Sequence, residues 1–328
     1  MTGQHAVGRD GGPFRLGLIG AGRMGRTHLA SVGESSLVAV TGVAEPDPAA
    51  RAAVESTGVA VFASPAELLG AGDLDGVLIA APTDRHVDVL GQVMAARLPV
   101  LCEKPCGLSV QEAAACARIA ASAGLVLQVA YWRRFVPALA DLRQRMLGGD
   151  LGDILAVNCY QWDAAPPPAE FRGSSGGIFV DMGVHEFDQV RWLTGQEFTA
   201  VKVASSAAGP AARGGPVSGA AADDPDCAQL VAELDGGSTA VVSLGRWHPA
   251  GDSCRVEVFG TKGTSSLPFL DPVGGEAVFH HALRLQAEDF ARSVAAGDST
   301  GATVDDAVAA LRIAGLAQPD PGSAPARS

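Results

Sequence analysis

The sequence predicts an α/β chain in two parts: a doubly wound parallel sheet over residues 13–131, and an α+β part with a largely antiparallel, open sheet over residues 132–318. In the first part, short uninterrupted aliphatic runs alternate with longer amphipathic ones, as expected of parallel strands buried beneath helices on both faces. In the second, strand-like runs are joined by turn signals such as Asp235-Gly236-Gly237, the pattern of antiparallel pairing. A length of 328 residues suits two domains, and 47% apolar composition supplies their cores.

Taken in order, the strands of the first part are "FRLGLIG" from Phe14, "LVAVTGVAE" from Leu37, "VAVF" from Val59, "GVLIAAP" from Gly76, "LPVLCEKP" from Leu98 and "GLVLQVAY" from Gly124. The second part offers "LGDILAVNCYQW" from Leu151, "FTAVKVASS" from Phe198, "DCAQLVAEL" from Asp226, "STAVVSLGRW" from Ser238 and "SCRVEVFG" from Ser253. Helices are expected over Ile178–Leu193 and Ala282–Ala296. Residues 1–12 and 319–328 read as disordered ends, and Ser205–Pro225, rich in Gly, Ala and Pro, as a flexible loop.

Composition excludes several classes of partner. With 36 acidic against 24 basic side chains and a net charge of -12, the surface repels phosphate backbones and anionic lipid, so neither nucleic acid nor membrane is expected. No apolar run approaches the roughly 18 residues of a spanning helix, and a cytoplasmic enzyme is the expectation. The six cysteines, Cys102, Cys106, Cys116, Cys159, Cys227 and Cys254, have no paired spacing and read as buried thiols; no metal site is expected.

A nucleotide site is written in "GLIGAGRMGRTH", where Gly20, Gly22 and Gly25 follow a strand and open a helix in G-x-G-x-x-G spacing. The first two glycines allow a tight turn and close backbone approach, the third allows close helix packing, and the helix N-terminus meets a pyrophosphate. Arg23 and Met24, in the first turn of that helix, join the expected cofactor contacts. Glu45 stands twenty residues beyond Gly25 (45 − 25) at the end of the second strand, where a carboxylate accepts from ribose hydroxyls. That carboxylate repels a 2′-phosphate, so NAD is expected over NADP, with Arg51 one helical turn further on as the countervailing cation.

Two further stretches identify a family. "AAPTDRH" (Ala80–His86) and "CEKPCGLS" (Cys102–Ser109), following the glycine motif in this order, resemble the oxidoreductase family named for glucose-fructose oxidoreductase, inositol dehydrogenase and the rhizopine-catabolism protein MocA. The resemblance runs from Phe14 to Gly263, and its second half is most similar to inositol 2-dehydrogenases, through "WDAAPPPAEF", "SGGIFVDMGVHEFDQVRWLTG" and "RVEVFGTKG". It implies an NAD-dependent enzyme acting on a ring secondary alcohol of a cyclitol or sugar. Myo-inositol, oxidised to 2-keto-myo-inositol, is the first choice, with a related inositol or aminocyclitol next. It also implies Lys104, Asp181 and His185 as the catalytic group, cofactor contacts from Pro82, Thr83, His86, Glu103 and Lys104, a cis peptide before Pro105, and a homo-oligomer, dimer or tetramer. "YWRRF" (Tyr131–Phe135) resembles the family's domain-junction motif, and Arg134 is assigned to the substrate with Trp162, Asp163, Lys104, Asp181 and His185.

The residues support the catalytic assignment independently. Positions i and i+4 share a helix face, so Asp181 and His185 point together, and a carboxylate beside an imidazole orients it and raises its basicity. Such a pair suits a general base that removes a hydroxyl proton, while an ammonium such as Lys104 stabilises the oxygen. Asp188 reads as an anchor for backbone or for Arg191, and His280 and His281 as exposed residues near a helix start or, alternatively, as replacement pocket contacts. Departures from the family lie at the substrate end: Trp162 stands where arginine is usual, Ala164 where proline is usual, and Ala250 and Asp252 where tyrosines are usual. Two alternatives stay open on sequence: an NAD-using glycoside hydrolase of the same family and a non-catalytic NAD-sensing protein.

Overall fold

In the computed structural model, which describes residues 8–206, 224–296 and 300–318, the chain divides into two units. One comprises Met1–Val136 with Ala277–Val308, the other Pro137–Glu276 with Ala309–Ser328. The second half is therefore not the continuous domain 132–318 that the sequence suggests, because part of its C-terminal third belongs to the first unit.

The first unit is built on a parallel sheet of β1 (Phe14–Ile19), β2 (Val38–Ala44), β3 (Ala60–Phe62), β4 (Gly76–Ile79), β5 (Val100–Cys102) and β6 (Leu127–Val129) in the order β6-β5-β4-β1-β2-β3. Leu16, Leu18, Leu78 and Leu101 are fully buried within it, as continuous aliphatic strands require. The crossovers are α1 (Arg23–Val32), α2 (Pro48–Glu55), α3 (Pro65–Gly70), α4 (His86–Ala95) and α5 (Val110–Ala123). Their starts are chemically fixed: Ser109 Oγ accepts from Glu112 N at 3.2 Å while Glu112 Oε2 accepts from Leu108 N at 2.7 Å, a reciprocal cap on α5.

The returning segment explains the revised boundary. Helix α9 (Gly275–Ala296) carries Ala287, Phe290 and Ala291 into the same core as Phe14 and Leu16, and the Phe14 and Phe290 rings meet edge to face at 5.8 Å. Beyond it, β13 (Ala302–Thr303) adds an antiparallel seventh strand beside β6. Residues 8–12, expected to be disordered, form a turn in which Gly8 N donates to Gly12 O at 3.0 Å and Arg9 lies 3.5 Å from Asp75. Residues 1–7 and 319–328 lie outside the described residues.

The second unit holds a six-stranded sheet in the order β12-β11-β7-β10-β9-β8. Its strands are β7 (Ile154–Trp162), β8 (Phe198–Ser206), β9 (Cys227–Leu234), β10 (Thr239–Gly245), β11 (Ser253–Gly260) and β12 (Thr264–Leu270), and only the β7–β10 pair is parallel. Three helices accompany them, α6 (Pro137–Leu147), α7 (Ala169–Ser174) and α8 (Val184–Thr194); α10 (Val304–Ala317) closes the chain. Cross-strand register sorts the faces. The row Leu230, Val242, Cys159 and Val256 is buried, whereas the adjacent row on the other face runs Val231, Val241, Asn158 and Glu257, with Val231 53% exposed. The expected loop Ser205–Pro225 is only partly described: Ser205 and Ser206 end β8, Asp224 is buried, and 207–223 lie outside the described residues.

Candidate active site

The glycine motif forms a cradle at the N-terminus of α1. Gly20 has φ +100, and a Cβ there would come within 2.6 Å of the Ala80 carbonyl oxygen; a Cβ at Gly25 would collide with the Gly20 carbonyl. Gly22 differs, since open space lies where its Cβ would project. It is the N-cap of α1 with no side-chain cap, so the first-turn N–H groups of the helix have no capping side chain. Arg23 is exposed and Met24 half-buried in that turn. An open, uncapped helix N-terminus after a φ-positive glycine fits the pyrophosphate of a dinucleotide.

Glu45 follows β2 and is engaged: Oε2 accepts from Ala21 N at 2.6 Å and Oε1 from Asp47 N at 2.9 Å. Each oxygen keeps a further lone pair for a ribose hydroxyl. Arg51 reaches back along the helix, but Nη1 donates to the Glu45 and Pro46 carbonyls at 2.7 and 2.9 Å, so backbone holds this cation beside the carboxylate.

Around the Lys104 turn, two of the expected cofactor contacts also make internal bonds. Glu103 is buried, with Oε1 2.6 Å from His28 Nε2 and Oε2 accepting from Lys104 N at 3.0 Å. Burial alone would raise its carboxyl, but the His28 bond and the charges of His28 and Lys104 bring it below the ordinary carboxylate range. His86 is 1% exposed, with Nδ1 2.9 Å from the Pro105 carbonyl and Nε2 2.9 Å from the Ala81 carbonyl. Both side chains therefore hold the turn itself. Pro82 is exposed and caps the 3₁₀ turn Thr83–Arg85, and Lys104, half-buried, precedes a cis Pro105.

Arg134, after β6, is held by a carboxylate. Its Nη2 lies 3.2 Å from Asp306 Oδ2, and that carboxylate also accepts from Thr303 N and Oγ1 at 2.9 Å. Burial pushes the Asp306 carboxyl up, but Arg134 and Thr303 more than offset it and hold it low. Arg134 thus ties the turn after β6 to the start of α10 within the first unit. This ion pair is internal to the first unit.

In the second unit Trp162 ends β7, packs across Gly245 and donates from Nε1 to Ser243 Oγ at 3.0 Å. Asp163 accepts from Gln161 Nε2 at 3.3 Å, while its backbone pairs with Gly245 and His248. Burial pushes the Asp163 carboxyl up, and the nearby charges of Asp252 and Asp181 push it further. Asp252 Oδ1 meanwhile accepts from Ala164 N at 2.7 Å, so the residue at a usual tyrosine position pins the loop after β7.

Asp181 lies in a π-helical turn, Phe179–Gly183, and His185 in the first turn of α8, 6% exposed. π turns recur at functional sites because they re-aim side chains. Asp181 Oδ2 lies 3.3 Å from Arg246 Nη1, a contact with no counterpart in the sequence reading. Arg246 in turn places Nη2 3.0 Å from Asp224 Oδ2, and Arg172 reaches the same oxygen at 2.9 Å and Asp226 Oδ1 at 3.0 Å. The signal for Arg246 was an arginine closing the apolar run "AVVSLG", and Asp224 was hidden inside the presumed loop. Asp188 is buried in α8, and Arg191 pairs with Glu197 at 2.6 Å. His280 Nδ1 lies 2.8 Å from Ser31 Oγ, so it packs in the first unit rather than standing exposed. Among the described residues no three His, Cys, Asp or Glu side chains are grouped to hold a metal ion, and no helix is long and apolar enough to cross a membrane.

Comparison with known proteins agrees with this architecture. Residues 14–131 match the family model described as an oxidoreductase family with an NAD-binding Rossmann fold, and 139–266 match the GFO/IDH/MocA C-terminal domain. The chain is 48% identical over 301 residues to the rhizopine catabolism protein MocA of Rhizobium meliloti, covering 92% of this chain and 93% of that protein. It is 34% identical to a myo-inositol dehydrogenase of Streptomyces leeuwenhoekii, over 91% of this chain and 94% of that one. The crystal structure of a myo-inositol dehydrogenase from Corynebacterium glutamicum superposes with a TM-score of 0.81 at 25% identity, covering 93% of this chain and 97% of that chain. With its NAD-binding Rossmann domain and its matching C-terminal domain, the chain belongs to the Gfo/Idh/MocA family of oxidoreductases.

Proposed function

We propose that the protein is an NAD-dependent dehydrogenase that oxidises a ring secondary alcohol of an inositol or inositol derivative, or catalyses the reverse reduction. The observation that carries this reading is a carboxylate and an imidazole four residues apart, Asp181 and His185, on a buried helical segment of a chain that has a dinucleotide cradle in its other unit. NAD, when bound, accepts the hydride. His185 removes the hydroxyl proton, Asp181 sets the imidazole's orientation, and the Lys104 ammonium stabilises the charge on the oxygen as the carbonyl forms. Glu103 and His86 fix the turn that carries Lys104, through its backbone N–H and the Pro105 carbonyl.

The substrate class rests on relatives named for myo-inositol and scyllo-inositol, with a rhizopine-catabolism protein among them. Within the second unit, Asp163 and Trp162 at the end of β7 are the proposed polyol contacts, since a carboxylate accepts well from vicinal hydroxyls. The mixed polar and apolar sheet face bearing Tyr160, Val231 and Phe259 is the proposed surface for self-association in a homo-oligomer.

The test is formation of reduced nicotinamide with NAD and with NADP over a panel of inositols, aminocyclitols, a rhizopine and aldoses, for wild type and His185→Ala. Turnover with NAD on a cyclitol is expected, lowered about 10²–10⁴-fold in the variant with NAD binding kept. Bound NAD with no turnover on any polyol would refute the dehydrogenase reading.

A further inference from the structure

Arg246 is the largest fully buried side chain of the described residues. A buried guanidinium persists only where carboxylates and carbonyls meet it, and such pairs add little to stability compared with an apolar residue of like volume. Their contribution is geometric. Here the guanidinium lies against Asp181 at 3.3 Å and Asp224 at 3.0 Å, and its own backbone N–H donates to the Asp226 carbonyl at 2.9 Å.

The second carboxylate holds the same segment from its other end. Asp224 Oδ1 accepts from Ile178 N at 2.7 Å, just ahead of the π turn that contains Asp181, while Arg172 Nε binds Asp224 Oδ2 at 2.9 Å. Arg172 Nη1 adds Asp226 Oδ1 at 3.0 Å, so the cluster contains two cations and three carboxylates, a net of -1 (2 − 3). Asp181, at 15% side-chain exposure, is the most open member, against 0–8% for the other four. Asp181 is thus the member of the cluster that opens outward, on the segment that leads into His185.

We propose that Arg246, backed by Asp224 and Arg172, is a positioning residue that fixes the Asp181 carboxylate and so governs the rate of proton removal, rather than the binding of cofactor or polyol. The proposal rests on the reading of Asp181 and His185 as the catalytic pair. Arg246 touches no reacting atom in this scheme; it acts through Asp181.

A double-mutant cycle tests it. Arg246→Met, Asp181→Asn and the double variant are compared with wild type on the cyclitol that turns over in the panel above. Arg246→Met is expected to lower kcat by about 30-fold or more with both KM values within about threefold, yet to cost less than about threefold when Asp181 is already asparagine. Arg246→Lys, which keeps charge but reaches one carboxylate, should recover part of the loss. Independent, multiplying losses, or an unchanged kcat in Arg246→Met, would overturn the proposal. Full activity in Asp181→Asn would instead overturn the underlying catalytic reading, and this proposal with it. If Arg246→Met does not fold, Asp224→Asn enters the same cycle with the same expectations. Amide hydrogen exchange of the full chain gives a readout free of any substrate. The peptide spanning 178–184 should exchange about tenfold faster or more in Asp224→Asn and Arg246→Met, with first-unit peptides unchanged, and unaltered protection there would overturn the proposal.

Discussion

Replacing Gly22 by alanine separates the cofactor's demands on the glycine motif from the fold's. The residue has φ -62 and ψ -170, ordinary for any amino acid, and beyond its immediate chain neighbours nothing lies within 4 Å of the Cβ that alanine would add. Alanine is a poorer N-cap than glycine by about 0.5–1 kcal/mol, and restricting the unfolded chain returns about 0.4–1 kcal/mol. The two effects nearly cancel, so the free protein should melt within about 3 °C of wild type. The added methyl would project into open space at the uncapped start of α1, where the pyrophosphate is placed in this reading. Loss of one or two charge-assisted bonds from helix N–H groups costs about 3 kcal/mol, which is a Kd for NAD weakened about 100-fold. Isothermal titration beside a thermal melt reads both quantities. Unchanged NAD affinity with an unchanged melt would refute the placement of the pyrophosphate at this helix. Gly25→Ala should behave oppositely, because its Cβ meets the Gly20 carbonyl and the fold itself must shift.

Other expected outcomes follow from the same geometry. Phe290→Ala should destabilise the first unit by about 3–5 kcal/mol, read by denaturant unfolding of the full chain, because Phe290 is fully buried against Phe14; a loss below about 1 kcal/mol would contradict its place in that core. Glu103 has its folded carboxyl held below the ordinary value, so its contribution is complete above the ordinary carboxylate range and is lost as pH falls through the folded value. Glu103→Gln should accordingly be less stable than wild type near neutrality, and the gap should close on acidification; a gap that widens in acid would show the sign to be wrong. Light scattering should find a dimer or larger assembly, and a monomer would remove the role given to the exposed sheet face.

The strands of the first sheet were legible because burial on both faces leaves an unmistakable aliphatic run, as in Leu98–Cys102. Two strands were not. β12 contains Pro268, which masks a strand and is tolerated because β12 lies at the sheet edge, and β13 is only two residues long. In the site, Gly20, Gly22 and Gly25 could be read residue by residue because each answers a local backbone demand. Arg134, Glu103 and His86 could not, since the choice between ligand and internal fastening depends on partners far away in sequence: Asp306 for Arg134, His28 for Glu103, and Pro105 for His86. Arg246 and Asp224 were missed for the same reason, and Asp224 also because its neighbours are small, polar residues typical of loops.

The core shared by Phe14, Leu16 and Phe290, and the pairing of β13 with β6, carry a consequence for biosynthesis. A ribosome releases the chain from its N-terminus, and domains generally fold as units as they emerge. The nucleotide-binding half cannot finish in that order, because its last helix and edge strand are translated after the whole of Pro137–Glu276. Until then the surface beneath α9 stays uncovered, and a nascent chain stalled near residue 270 holds a complete glycine motif on an incomplete core. The core beneath the nucleotide-binding sheet thus closes only after the long intervening segment of the second unit has been made.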